Sequence, residues 1–159
     1  MNISKYLTLA EATKSQNAVR LGIDNTPNEE EIENMKYVAT HVFDKVREHV
    51  NGPLNASSFF RCQALNDATP GSSNTSQHRF GQAIDIDCDT FNFRNNNEIY
   101  TWIVKSLDFD QIIGEYPDAT GKFSWVHVSL RKTGTNRKDR LVKLKDKYIH
   151  FLDWKPGMV

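Results

Sequence analysis

His78, Asp85 and His127 are the residues through which this chain is equipped for chemistry. His78 and Asp85 lie seven residues apart across Gly81 in the stretch SQHRFGQAIDID, residues 76–87, and His127 follows far downstream in Trp125-Val126-His127. Two imidazoles and a carboxylate make the nitrogen and oxygen donor set with which hydrolases hold zinc while a fourth position stays open for water. An ion so held lowers the pKa of that water and polarises a carbonyl, which supplies a nucleophile at neutral pH. A nearby carboxylate must still accept the water's proton, and Glu115 is the candidate. The spacing alone also arises by chance, and a histidine in a strand also serves as a satisfied core residue. On the residues alone both readings stand.

The elements that must position these groups follow from pattern. Ala83–Asp87 alternates, with Ala83, Asp85 and Asp87 on one strand face and Ile84 and Ile86 on the other, so Asp85 faces a site while the isoleucines pack. Residues 109–115 and 124–130 read as strands joined by the turn-forming residues 116–121, a hairpin that carries Glu115 towards His127. Upstream, Thr8 and Glu11 form a capping box that opens a helix through about Leu21, with Leu9, Ala12 and Ala18 on its buried side and Gly22 at its end. Thr26 as N-cap, Pro27 and Glu29 then start a long amphipathic helix in which Ile32, Met35, Ala39, Val42, Phe43, Val46 and Val50 recur at three- and four-residue steps. His41 and His49 fall on this helix without a third ligand at matching spacing and stay outside the site.

Residues 54–60 predict a short strand, residues 63–67 one helical turn, and residues 69–74 a turn-rich loop that delivers the chain to His78. After a polar loop over residues 90–96, Asn97 is expected to cap a helix carrying Ile99, Tyr100, Ile103 and Leu107. A basic loop over residues 131–140 precedes a segment, about 141–151, in which Val142, Leu144 and Tyr148 alternate with Lys143, Lys145 and Lys147. That alternation reads as one buried and one solvated strand face, followed by a loose tail over residues 153–159.

At 159 residues the chain predicts a single domain spanning residues 1–159. Lys and Arg number 20, as do Asp and Glu, so no global field favours nucleic acid, and nucleic acid is not an expected partner. The first 16 residues lack a signal-peptide core. Nowhere do about 18 apolar residues run together, so membrane insertion is not expected. Cys62 and Cys88 lack CxxC spacing and read as free thiols.

The string Ser76-x-His78-x-x-Gly81-x-Ala83-x-Asp85, with Trp125-x-His127 downstream, resembles the signature of the zinc D-Ala-D-Ala carboxypeptidase and L-alanyl-D-glutamate endopeptidase family of murein peptidases. Residues 11–15, 25–27, 58–61, 65–66 and 109–115 extend the likeness to a phage- and prophage-associated branch. The resemblance implies one zinc ion on His78, Asp85 and His127, with Glu115 as catalytic base. It also implies that Arg61 matches the arginine of the family's Ser-Gly-Tyr-Arg segment and clamps a substrate carboxylate or the polarised carbonyl, a task suited to a planar guanidinium. Ser76 and Gln77 are placed to orient His78 by hydrogen bonds, and Trp125 to wall the pocket. Gly81 permits the turn between the first two ligands.

The fold implied is α+β, hedgehog/DD-peptidase-like: N-terminal helices packed on a small, mainly antiparallel sheet that carries the zinc site. The partner implied is peptidoglycan stem peptide, cut in carboxypeptidase or endopeptidase fashion by a monomer. The protein would be made in the cytoplasm and act on the cell wall after release through a permeabilised membrane or from a virion, as an endolysin or virion-associated lysin. A non-catalytic zinc-containing wall-binding or structural virion module is the alternative.

The chain also departs from the family pattern. Phe59 and Phe60 stand where Gly-Tyr is expected, adding bulk beside the presumed groove, and Ser124 stands where several relatives carry an acidic base. Trp125 takes a position that is histidine in some relatives. Arg61 has a structural alternative as an ion-pair partner of Asp67 or Glu115, and Glu115 one as a solvated strand end. Asp87 shares the face of Asp85, while Asp89 reads as a loop cap. The basic run from Lys132 to Lys147 either attracts anionic wall polymers or is simply solvated.

Overall fold

The computed structural model describes residues 1–91 and 94–159, so positions 92 and 93 of the polar loop expected over 90–96 lie outside the described residues. Among the described residues six α-helices and six strands make an α+β fold: α1 (Leu9–Thr13), α2 (Gln16–Leu21), α3 (Glu29–Val38), α4 (Asp44–Val50), α5 (Gln63–Asp67) and α6 (Asn96–Ser106), with β1 (Asn55–Ser58), β2 (Ala83–Asp87), β3 (Gln111–Glu115), β4 (Trp125–Ser129), β5 (Asp139–Lys143) and β6 (Tyr148–His150). One sheet runs in the order β1-β2-β4-β3-β5-β6. It is mainly antiparallel, as expected. Only β3 with β5 is parallel, because the connection after β4 crosses to the far edge of β3.

The capping box of Thr8 and Glu11 opens α1 as read, but the helix stops at Thr13. The reason lies in competing partners for its last carbonyls: Phe60 donates its N–H to Ala12 O, and Asn25 Nδ2 donates to Thr13 O. Ser15 then caps α2, which ends at Gly22 in the left-handed region. The next cap falls at Asn28 rather than Thr26. Thr26 is already engaged, its N–H and hydroxyl both donating to Asp24 Oδ1, while Asn28 and Glu31 make the reciprocal box.

The long helix reads through to Val50 but contains a π-helical turn, Ala39–Phe43, between α3 and α4. The turn keeps Ala39, Val42 and Phe43 on the buried side with Met35, Val46 and Val50. Opposite them Ile84, Ile86, Val126, Val128, Ile112 and Val142 project from the sheet, and Ile99, Tyr100 and Ile103 of α6 complete the core. One sheet face is thus sealed by helices. The alternate positions, Asp85, His127, Glu115 and Lys143 among them, are left on the other.

Three further expectations are corrected. α6 is capped by Asn95, not Asn97; the intervening Asn96 is buried and ties Cys88 to the carbonyls of Phe123 and Ser124. Tyr148 does not continue the buried alternation. A turn closed by Leu144 N–H on Lys147 O resets the phase, so Tyr148 pairs with Lys143 and is half exposed. The tail is anchored, since Trp154 packs on Phe123 with ring centroids 5.1 Å apart and donates from Nε1 to Met158 O. Cys62 and Cys88 are free thiols.

Candidate metal centre

Strand pairing decides which side chains meet. Asp85 pairs with His127, His127 with Ile113, and Ile113 with Leu141, a row across the open face of the sheet. The adjacent row reads Trp125, Glu115, Lys143, Tyr148. Neighbouring strands sit about 4.8 Å apart, so the backbone ladder itself brings Asp85 to His127. His78 arrives by a 3₁₀ turn, Gln77–Phe80, that closes at Gly81 with φ 66°. A Cβ at Gly81 would lie 2.5 Å from Glu31 O, so only glycine lets this turn press against α3.

The three donors converge on one point. Asp85 Oδ1 lies 3.0 Å from His127 Nδ1 and 3.2 Å from His78 Nε2, and the two ring nitrogens are 3.1 Å apart. His78 Nδ1 is 2.6 Å from Phe59 O. A carbonyl only accepts, so the tautomer assigned from this bond places the proton on Nδ1 and turns the Nε2 lone pair inward. Burial lowers the His78 pKa against the pull of Asp85, which favours the neutral, ligating imidazole. Burial would raise Asp85, but His78 and His127 outweigh it and hold the carboxyl well below the ordinary range.

All the candidate ligand atoms lie within 4.8 Å of one another. One proton on His127 Nδ1 bridges only one close pair at a time, whereas a divalent cation satisfies all three donors at once. The donor set therefore fits zinc. The histidine ring bonded to a backbone carbonyl is also the arrangement by which metal-ligating imidazoles are held in orientation.

A cleft of about 750 Å³ opens over the cluster, within the size range of small-ligand sites. Burial pushes the Glu115 carboxyl up to about 7; His127 pulls it down, Asp85 up, and Lys143 and Arg61 down. Arg61 donates from Nη1 to Ser72 Oγ at 2.9 Å, and its Nε is buried without a partner. Burial lowers its pKa, opposed by Asp85 and Glu115. Among the described residues it makes no ion pair; Asp67 instead accepts from Gln63.

Ser76, Gln77 and Trp125 line the same cleft. Neither Ser76 nor Gln77 orients His78, because the Phe59 carbonyl does so. Gln77 Oε1 accepts from Arg137 Nη2 at 3.5 Å, and its Nε2 is buried without a partner. Trp125 leans on Tyr116, ring centroids 5.4 Å apart. Phe59 and Phe60 add no bulk to the groove, since both side chains are buried in the core. Ser124 donates to Tyr116 O, Asp87 accepts from Asp89 N–H and Asn96 to cap its loop, and Asp89 pairs with Lys122.

Pattern reading missed Asp110, fully buried just before β3, which accepts from Arg137 N–H, Nε and Nη2 and lies 3.4 Å from Arg131 Nε. An aspartate just before the strand residues Gln111, Ile112 and Ile113 is the signal it left. The reading of the basic loop over residues 131–140 is thereby corrected in part: Arg131 and Arg137 fasten the crossover rather than standing free.

A family model described as Peptidase M15 matches residues 5–129. The chain belongs to the peptidase M15 family. No curated protein matches it. M15 peptidases are zinc enzymes, so this M15 chain is a metallopeptidase, and its His-Asp-His cluster is suited to the metal. The match stops at Ser129, leaving β5 and β6 of this M15 peptidase, with Lys143 and Tyr148, outside it. No helix among the described residues is long and apolar enough to cross a membrane.

Proposed function

We propose that this M15 peptidase hydrolyses peptide bonds in the stem peptides of bacterial peptidoglycan, with one zinc ion held by His78, Asp85 and His127. The convergence of the His78 lone pair, the Asp85 carboxylate and His127 in one open cleft carries the reading. When bound, zinc supplies Lewis acidity, lowering the pKa of a water and polarising the scissile carbonyl.

Glu115 takes a proton from the attacking water as its oxygen joins the carbonyl carbon. It returns that proton to the leaving amine nitrogen as the carbon–nitrogen bond breaks. A carboxyl near pKa 7 suits both steps, being deprotonated often enough to accept and acidic enough to give back. Arg61, largely buried and with its Nε unpartnered, lines the same cleft, where it anchors a substrate carboxylate or the developing oxyanion. Trp125 and Tyr116 wall the side beside Glu115.

Cleavage is of the D-Ala-D-Ala carboxypeptidase or L-Ala-D-Glu endopeptidase kind. A phage or prophage lysin role rests on the resemblance of residues 11–15, 25–27 and 58–61. Purified murein incubated with the zinc-loaded protein is expected to release muropeptides, and their masses identify the bond. Release equal to that of Glu115→Ala and His127→Ala proteins would overturn the reading in favour of a non-catalytic module.

A further inference from the structure

Six formally charged side chains among the described residues line the cleft: Arg61, Asp85, Glu115, Arg131, Arg137 and Lys143. Four already have uses. Asp85 is held by the two histidines, Arg131 and Arg137 by buried Asp110, and Glu115 serves as base. Arg61 faces the cleft from the β1 edge, while Lys143 stands on β5, with β2, β4 and β3 between them.

Lys143 pairs in register with Glu115, and its Nζ rests 4.3 Å from the ring centroid of Tyr148. Among the described residues no carboxylate forms an ion pair with it. The ring supports an ammonium without neutralising it, so the charge is positioned yet free to take an anion. The β5–β6 hairpin that supplies both residues lies beyond the residues matched by the family model.

We infer that Lys143, supported by Tyr148, is a specificity-determining subsite for a second carboxylate of the peptide, on the flank of the base opposite Arg61. The inference rests on the peptidase reading and narrows its substrate to a peptide with an internal carboxylate as well as its terminal one. In a stem peptide with lysine as its third residue that group is the free carboxylate of glutamate. A charge-assisted hydrogen bond in a partly desolvated cleft is worth roughly tenfold or more in discrimination over a neutral amide.

The test uses the zinc-loaded full chain and two probes: a synthetic stem pentapeptide with lysine as its third residue, and the same peptide with the glutamate carboxylate converted to carboxamide. The wild-type ratio of kcat/KM, acid over amide, is expected to be at least about 10, to fall to about 1 in Lys143→Gln, and to recover in Lys143→Arg. An equal ratio in wild type and Lys143→Gln overturns the subsite. So does a shift of the acid limb of the pH profile that is the same for both peptides and leaves their ratio as in wild type, because Lys143 would then act only on Glu115. Equilibrium binding of both peptides to the Glu115→Gln protein reads the same ratio without hydrolysis. If wild type cleaves neither peptide yet the affinity ratio depends on Lys143, the peptidase reading fails and the subsite stands. A flat affinity ratio removes the subsite while leaving any observed hydrolysis in place.

Discussion

The two walls of the cleft are built from the same sheet but differ in how their polar groups are satisfied. On the β2–β4 wall every donor is locked to another: Asp85 to both histidines, and His78 to Phe59 O. On the β3–β5 wall Glu115 and Lys143 lie side by side in register with no hydrogen-bonded partner between them, and across the cleft the Arg61 Nε is likewise unpartnered. Closely interlocked donors suit a resident cation, whose removal leaves lone-pair groups face to face. Unpartnered charges suit a transient ligand that arrives with its own complement. The difference therefore separates holding from turning over, and substitutions on the two walls should separate in the same way.

The largest effect is expected on the interlocked wall. His127→Ala or Asp85→Ala should drop bound zinc from about one ion to near none and reduce muropeptide release by about 10⁴-fold or more. Metal analysis alongside the release assay checks both, and retained zinc would break the division between walls. Glu115→Gln should instead keep its zinc while kcat falls about 10²–10⁴-fold, the range for loss of a general base. Arg61→Lys should also keep zinc. It is expected to lose about 100-fold or less in kcat/KM, because a point charge replaces a planar fork.

The smallest effect concerns stability, read in zinc-free protein by denaturant unfolding. The Glu115 carboxyl is raised from 4.5 to about 7 in the folded state. A raised pKa contributes stability that is fully present below about pH 4.5 and is lost as pH rises through about 7. A permanently neutral glutamine escapes that loss. Glu115→Gln should therefore match wild type near pH 4 and exceed it by on the order of 2 kcal/mol at pH 8. A gain of the same size at both pH values would show that ionisation is not its source.

Much of the site was legible because period-two alternation is local. Ala83–Asp87 announced Asp85 outward and two isoleucines inward, and the hairpin of β3 and β4 followed from the turn residues between them. What stayed hidden depends on partners remote in sequence. The break after Thr13 needs Asn25 and Phe60, the His78 orientation needs a backbone carbonyl at Phe59, and the π-helical turn leaves the apolar spacing almost unchanged. Lys143 was readable only as part of a basic run, solvated or drawn to wall polymers, because alternation reports that a face is not buried and says nothing of a cleft across it. Tyr148 was misplaced because one backbone turn between Leu144 and Lys147 cancelled the phase carried from Val142.

The parallel pairing of β5 with β3 has a consequence for the order in which the protein becomes competent. All three candidate ligands are present once the ribosome has passed residue 127, and their strands are joined by antiparallel ladders. The wall that carries Lys143 comes later. Its strand is reached through the crossover that Arg131 and Arg137 fasten to Asp110, a carboxylate that is otherwise buried without compensation. Synthesis from the N-terminus thus completes the three candidate ligands before it completes the wall that carries Lys143. A nascent or C-terminally clipped chain would be a metal binder first and a discriminating hydrolase only when its last strands are home.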